Sequence, residues 1–383
     1  MLKLIRMSTV GSSLDIFCRG FLSELSHEYE VIALSSPDES LRALSRRENV
    51  KAIGVKMKRS ISPLSDLVSL IKLIAVFRKE RPDILHTMTP KAGLLGMIAG
   101  RLTGVPVRIH TFTGLLFPTS HGLKRRLLIF TDRLTCASAT HIIPEGEGVK
   151  TDLITHRITN KPLKVLGFGN VRGVDVSFFR PSSELSDKAL SIRDRFGIPS
   201  EGIVFIFIGR FVRDKGLREL IKAFKLLGET DYHLLLVGDI EGPSDDIDIS
   251  EIKKIRQIHI SEGWVPDVRP WLVAADILVF PSYREGFPNV VLEAGAMELP
   301  SIVTDINGSR EIIREGHNGL IVPPRDVEAL TNAMRKLAEA PHGTLKAMGK
   351  AARENVIVKY TQRFVRDCLK YYYRQIINDR TIN

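Results

Sequence analysis

The sequence predicts an α/β protein built from two doubly wound domains in tandem, with a cleft between them. Three observations lead there. A chain of 383 residues is longer than one ordinary domain, so two globular units are expected. Short apolar runs alternate with amphipathic stretches of helical length over residues 1–170 and again from 203 onward, the signature of strand–helix units feeding a parallel sheet. Between these stretches the pattern lapses through 170–200, where Gly, Pro, Ser and Asp cluster around Pro181-Ser-Ser. The resulting spans are 1–180 for the first domain, 181–360 for the second, and 361–383 for a C-terminal helix that packs back on the first.

Taken in order, the strands expected in the first domain are 2–8, 30–34, 52–55, 84–87, 107–111 and 163–167, with a helix near 14–25 after the first. Helical spacing is clearest in Leu64, Leu67, Val68, Ile71, Ile74 and Ala75, which form one apolar stripe. The second domain offers strands at 203–208, 232–237, 258–261, 277–280 and 301–304, then closes on helices. A hydrophobic fraction of 44% and a charged fraction of 26% fit a well-packed globular protein. Cys18, Cys136 and Cys368 are odd in number and far apart, which fits a reduced compartment and suggests a cytoplasmic protein. The apolar block at Met1–Met7 is too short for a signal peptide, and no run approaches the ~18 apolar residues of a spanning helix. The formal charge of +11 draws the chain to anions, whether nucleic acid, an acidic membrane face or a phosphorylated substrate. An aromatic-interleaved basic platform is missing, which argues against nucleic acid.

Ligands of open parallel sheets sit where strands end and helices begin, so chemistry is sought there. After the strand 277–280 comes Pro281-Ser-Tyr-Arg-Glu285-Gly-Phe-Pro-Asn289, with a helix starting near Asn289. Glu293, about one turn in, tilts back toward the mouth that Glu285 occupies. The plainer alternative is a solvated loop residue at Glu285 and an acidic first-turn residue at Glu293. After the strand 203–208, Gly209-Arg210 and Lys215-Gly216 offer a planar fork of donors and a point charge, which is what a diphosphate requires. The order Gly-Lys-Ser/Thr is absent, so this is not a Walker loop. Thr9-Val-Gly11-Ser-Ser13 supplies small residues and amides for an anion, without the GxGxxG spacing of a dinucleotide site. His110 ends a strand and projects toward the cleft, where it is either a structural histidine or a base.

Together these residues resemble the family 4 retaining glycosyltransferases of GT-B fold, two Rossmann-like domains whose marker is Glu, seven residues, Glu. The resemblance covers nearly the whole chain. Ile61-Ser-Pro-Leu, His86-Thr-Met-Thr-Pro-Lys-Ala-Gly-Leu-Leu-Gly and His110-Thr-Phe-Thr-Gly look like the bacterial branch that builds capsule, O-antigen and exopolysaccharide repeat units. It implies that Arg210 and Lys215 hold the donor diphosphate, with Gly11 and its loop approaching from the other domain and the amides of Asn289 and Val290 completing the cradle. Glu293 would bond the ribose, Val265 and its neighbour Trp264 would meet the base, and Phe287 would line the donor pocket. Glu285 would contact the transferred sugar, and His110 would steady it. The chain departs from the family at Gly169-Asn170-Val-Arg172-Gly-Val-Asp175, where Asn-Gly-Val-Asp is commoner, so no contact is carried over there.

Breaking an anomeric C–O bond to a diphosphate builds negative charge on the leaving oxygen, which fixed cations and a helix N-terminus stabilise without a metal cofactor. Asp246-x-Asp248 has the form that metal-dependent transferases use, but it falls in a Gly/Pro loop and reads as a solvated cluster. Retention is compatible with a covalent intermediate on a carboxylate or with same-face attack, which the family's description favours. The donor is expected to be a UDP-sugar and the acceptor a polyprenyl-diphosphate-linked saccharide, whose phosphate Lys91 would meet. Leu123, Leu127, Phe130 and Leu134 share a helical stripe beside Lys124, Arg125 and Arg126; this is either an interfacial helix on an anionic membrane or a core helix with a solvated basic edge. A sugar-nucleotide 2-epimerase shares the architecture, but the paired glutamates with Arg210 and Lys215 fit a transferase better.

Overall fold

The computed structural model describes residues 1–228, 231–239 and 249–382; the acidic run at 245–248 lies outside them. The chain divides into two compact units, Met1–Arg172 together with Arg363–Asn383, and Gly173–Gln362.

The first unit carries a six-stranded sheet of β1 (Leu2–Met7), β2 (Tyr29–Ser35), β3 (Lys51–Gly54), β4 (Ile84–Met88), β5 (Val107–Phe112) and β6 (His141–Pro144), in the order β3-β2-β1-β4-β5-β6. The second carries β7 (Ile203–Ile208), β8 (Tyr232–Val237), β9 (Ile258–Ile260), β10 (Ile277–Phe280), β11 (Ser301–Thr304) and β12 (Gly319–Val322), in the order β12-β11-β10-β7-β8-β9. Every pairing is parallel. Read from its own first strand, each sheet has the same doubly wound order, and each reverses direction between its first and fourth strands. The central strand β7 shows why: Ile-Val-Phe-Ile-Phe-Ile is apolar throughout and its four middle residues are fully buried, as a strand covered on both faces must be.

Several expectations need correction. The segment 163–167 is not a strand; Leu163 makes an isolated bridge to Ile142 of β6. Gly167, Gly169 and Asn170 take φ of 55°, 92° and 65°, which an extended ladder cannot hold. The four-residue strands β6 and β12 fill the outer positions instead. The helix expected near 14–25 is two helices, Gly11–Cys18 and Phe21–Leu25, broken where Gly20 turns to φ 70°.

The apolar stripe of the helix Pro63–Glu80 faces the other way from a core stripe. Leu64, Leu67, Val68 and Ile71 are 84%, 55%, 53% and 59% exposed, whereas Ser69, Leu73 and Phe77 form the buried side. The helix Gly122–Ser138 behaves likewise, with Leu123, Leu127 and Phe130 in solvent. The core reading of its stripe is therefore set aside. Between these two lies the helix Pro90–Leu102, which packs against both.

The C-terminal helix Gln362–Ile382 is stitched into the first unit by charge and by one buried aromatic. Arg366 and Lys370 pair with Glu24, and Arg374 with Glu28. Tyr373 is fully buried, edge-on to Tyr29 at 6.0 Å.

Candidate functional site

Because β7 and β10 are neighbours, the loops that follow them emerge side by side at the point where the second sheet reverses. This adjacency brings together residues seventy positions apart. The Lys215 ammonium is in direct contact with the Glu285 carboxylate, and each side chain is 17% exposed. The Ser282 hydroxyl, fully buried, donates to the same Glu285 oxygen at 2.7 Å. Lys215 also stands over the Phe280 ring, 5.0 Å from its centroid, a cation–π contact that helps fix the ammonium's position. Lys215 is thus held by a carboxylate and a ring face, and Glu285 by an ammonium and a hydroxyl.

The backbone is shaped for this approach. Lys215 closes a 3-10 turn, and Gly216 follows at φ 69°. A Cβ on Gly216 would lie 2.0 Å from the Pro281 carbonyl oxygen, so only glycine lets the two loops touch. The loops are then tied by the Tyr283 amide donating to the Asp214 carbonyl at 2.8 Å and by an Arg284–Asp214 ion pair at 2.6 Å. From the third side, a Cβ on Gly308 would meet the Gly286 carbonyl at 2.5 Å. Burial pushes the Tyr283 phenol up, helped by its hydrogen bond to Glu219, and the Arg325 guanidinium lies 4.6 Å above its ring.

The other sequence candidates on this unit fall around the same strand ends. Arg210 is exposed in the loop after β7. The helix Asn289–Ala296 begins where expected, but its N-cap is Pro288 and not Asn289, with no side-chain cap bond, so proline presents the helix's first amides without a competing side-chain oxygen. No acidic residue occupies its first turn, so the half-buried Glu293 lies beyond the reach of the dipole account. Val265 is half-buried in the loop after β9, beside Trp264 at 72% exposed. The Phe287 ring belongs to the core, 4% exposed and 5.4 Å from the Tyr360 ring, so it supports the loop from beneath. A cavity of about 520 Å³ on this unit is lined by Arg310, Arg314, His317 and Asn355 among others, but by none of Lys215, Ser282 or Glu285.

On the first unit, the loops after β1 and β4 also meet at their sheet's reversal. The Thr89 hydroxyl accepts from the Thr9 amide at 3.1 Å, and Thr89 holds φ 71°, a strained value for a β-branched residue. Gly11 is buried and its amide donates to Asp38 Oδ2 at 2.9 Å; a Cβ there would come within 2.1 Å of the other Asp38 oxygen. Lys91 pairs with Asp66 and donates to the Ser60 carbonyl at 2.9 Å, so its charge is already answered. His110 is 2% exposed, bonds the Thr87 hydroxyl through Nδ1 at 2.8 Å, and packs so closely on Gly93 that a Cβ would lie 2.3 Å from its ring. Burial lowers its pKa to about 3, leaving a neutral imidazole at working pH.

Sequence reasoning missed Ser282, Asp214, Thr89 and Gly308. Ser282 had a signal, a serine straight after Pro281 at a strand end. The others show only once the strand order makes distant loops neighbours.

A family model described as "Glycosyl transferases group 1" matches residues 202–340, and one described as "Glycosyl transferase 4-like domain" matches 21–169. The "Capsular polysaccharide biosynthesis glycosyltransferase CapM" of Staphylococcus aureus is 31% identical over 383 residues, 98% of each chain. The chain belongs to the group 1 glycosyltransferases. Another relative of this glycosyltransferase, 29% identical over 81% of the chain and 80% of its own length, is the "UDP-Gal:alpha-D-GlcNAc-diphosphoundecaprenol alpha-1,3-galactosyltransferase" of Escherichia coli. Among solved structures, Anabaena Alr3699/HepE in complex with UDP superposes with a TM-score of 0.80 at 17% identity, covering 98% of this chain and 100% of its own. That likeness shows the GT-B fold.

Proposed function

We propose that this glycosyltransferase moves a sugar, with retention, from a UDP-sugar to a saccharide on polyprenyl diphosphate during surface-polysaccharide assembly. The observation that carries the reading is the meeting of Lys215, Glu285 and Ser282 at the reversal point of the second sheet. In this reading Lys215 and Arg210 take the diphosphate, joined by the amides of Asn289 and Val290, and Glu293 takes the ribose. Glu285, aimed by Ser282, receives the hydroxyls of the transferred sugar, and the backbone at Val265 meets the base. Fixed cations stabilise the leaving diphosphate, so no metal is required. On the first unit, the buried Gly11 and the neutral His110 shape the strand ends at that sheet's reversal, and Lys91 serves the acceptor phosphate once Asp66 releases it. The names of the Staphylococcus and Escherichia relatives support the capsule setting, the uridine donor and the lipid-linked acceptor.

Screening nucleoside diphosphate sugars by thermal shift tests this. A UDP-sugar at a hundred times its dissociation constant should add about 2.7 kcal/mol of stability, equally with and without EDTA. Stabilisation by none of the UDP-sugars would refute the donor assignment, and loss of the effect in EDTA would refute metal independence.

The lipid-linked acceptor implies work at the cytoplasmic membrane face, and two exposed stripes suit it. Leu64, Leu67, Val68 and Ile71 on one helix, and Leu123, Leu127 and Phe130 beside exposed Lys124 and Arg126 on another, offer apolar anchors with basic neighbours. No helix among the described residues is long and apolar enough to cross a membrane. Sedimentation with phosphatidylglycerol vesicles is expected to capture the protein and to weaken with salt. Phe130→Ser should lower the partition about ten- to a hundredfold, since a buried aromatic contributes roughly 1.5–3 kcal/mol. Equal binding to uncharged vesicles would contradict the electrostatic part.

A further inference from the structure

Arg6, on β1, is 1% exposed, and no carboxylate lies within ion-pair distance of its guanidinium among the described residues. Its Nη1 donates to Tyr373 Oη at 2.6 Å and His86 Nδ1 at 2.8 Å. Among the described residues its Nη2 reaches only sulfur, Met88 Sδ at 3.0 Å and Cys18 Sγ at 3.5 Å, and its Nε has no hydrogen-bond partner. Sulfur is a weak acceptor, and a buried charge normally needs an opposite one.

Neither His86 nor Tyr373 supplies that charge. Arginine only donates, so His86 Nδ1 accepts, and its Nε2 therefore carries the proton and donates to Thr111 Oγ1 at 2.7 Å. Burial and the adjacent guanidinium hold His86 well below its ordinary pKa, and burial pushes the Tyr373 phenol up to about 12, so both are neutral. Thr111, having accepted, keeps its own hydroxyl proton to donate elsewhere.

Arg6, His86, Thr111 and Asn170 line a cavity of about 20 Å³ closed by Val365 and Leu369 of the C-terminal helix. That is room for one water-sized species and too small for phosphate or sulfate. We propose that this cavity is a buried halide site, holding chloride against Arg6 Nε and the Thr111 hydroxyl, and so neutralising the guanidinium beneath the C-terminal helix. Chloride fits because it is monatomic, singly negative and accepts from several donors at once. The inference stands apart from the donor reading, since none of its residues belongs to that site.

The test uses the full-length protein exchanged into sodium gluconate and titrated with sodium chloride or bromide at constant ionic strength. A saturable rise in Tm of several degrees is expected with either halide, and Arg6→Met should abolish the dependence. Bromide-soaked wild-type crystals should show an anomalous peak within hydrogen-bond distance of Arg6 Nε, a readout that holds even where the variant does not fold. An ordered water with no bromide peak, or identical Tm in gluconate and chloride, overturns the proposal. So does a tyrosinate absorbance near 295 nm at neutral pH that Tyr373→Phe removes, because a phenolate would then supply the charge.

Discussion

Lys215→Ala is expected to lower kcat/KM about 10²–10³-fold while leaving the fold intact, the usual loss when one fixed electrostatic group facing a leaving anion is removed. The effect should fall mainly on kcat, because the charge on the bridging oxygen grows as the sugar departs. This hypothesis rests on the contact between Lys215 and Glu285, which sets the cation beside the carboxylate proposed to receive the sugar. Removing the ammonium leaves Glu285 its Ser282 bond at 2.7 Å, so the carboxylate stays aimed while the diphosphate loses its partner. Ser282→Ala should cost less, since it loosens Glu285 without removing a charge. Steady-state transfer assays beside circular dichroism separate loss of function from loss of structure. Full turnover by an enzyme lacking both Lys215 and Arg210 would sink the reading.

Acidification is the second large effect. His86 and His110 are buried and neutral in the first unit, the former well below its ordinary value and the latter near 3. In the unfolded chain both titrate near ~6.5, so below that pH the unfolded state binds protons the folded state refuses. Their stabilisation is complete above pH 6.5 and drains as the pH falls toward 3, at about 2.7 kcal/mol per pH unit for the pair. Asp132 opposes this: burial raises its carboxyl to about 7, so the folded state gains that proton first as the solution is acidified. For these three groups together the expected fall is about 1.4 kcal/mol per pH unit between about pH 6 and 4, and His259, lowered by burial to about 4, steepens it. Urea unfolding at pH 7, 6 and 5 measures it directly, and a flat or rising midpoint would show that the two imidazoles are not held neutral.

The parts legible in the sequence are those governed by local pattern. The uninterrupted apolar run at β7 and its counterpart at β10 gave strands at their true positions, and the motifs following them stand at strand ends. Strand order was not legible, and it is strand order that puts Lys215 against Glu285 and Asp214 against Arg284. Periodicity also identified the Leu64 stripe without telling which side of the helix meets the sheet; Ser69, Leu73 and Phe77 took that side. Four-residue strands such as His141–Pro144 are too short for a period to emerge. The role of Gly216 waited on the Pro281 carbonyl opposite it.

The hydroxyl that Arg6 and His86 share comes from Tyr373, 367 residues downstream of Arg6. During synthesis, therefore, the amino-terminal sheet leaves the ribosome with a guanidinium and an imidazole awaiting a partner, while the second unit, contiguous in sequence, can close first. The half of the enzyme that is made first therefore cannot complete its buried network until the last helix has been synthesised.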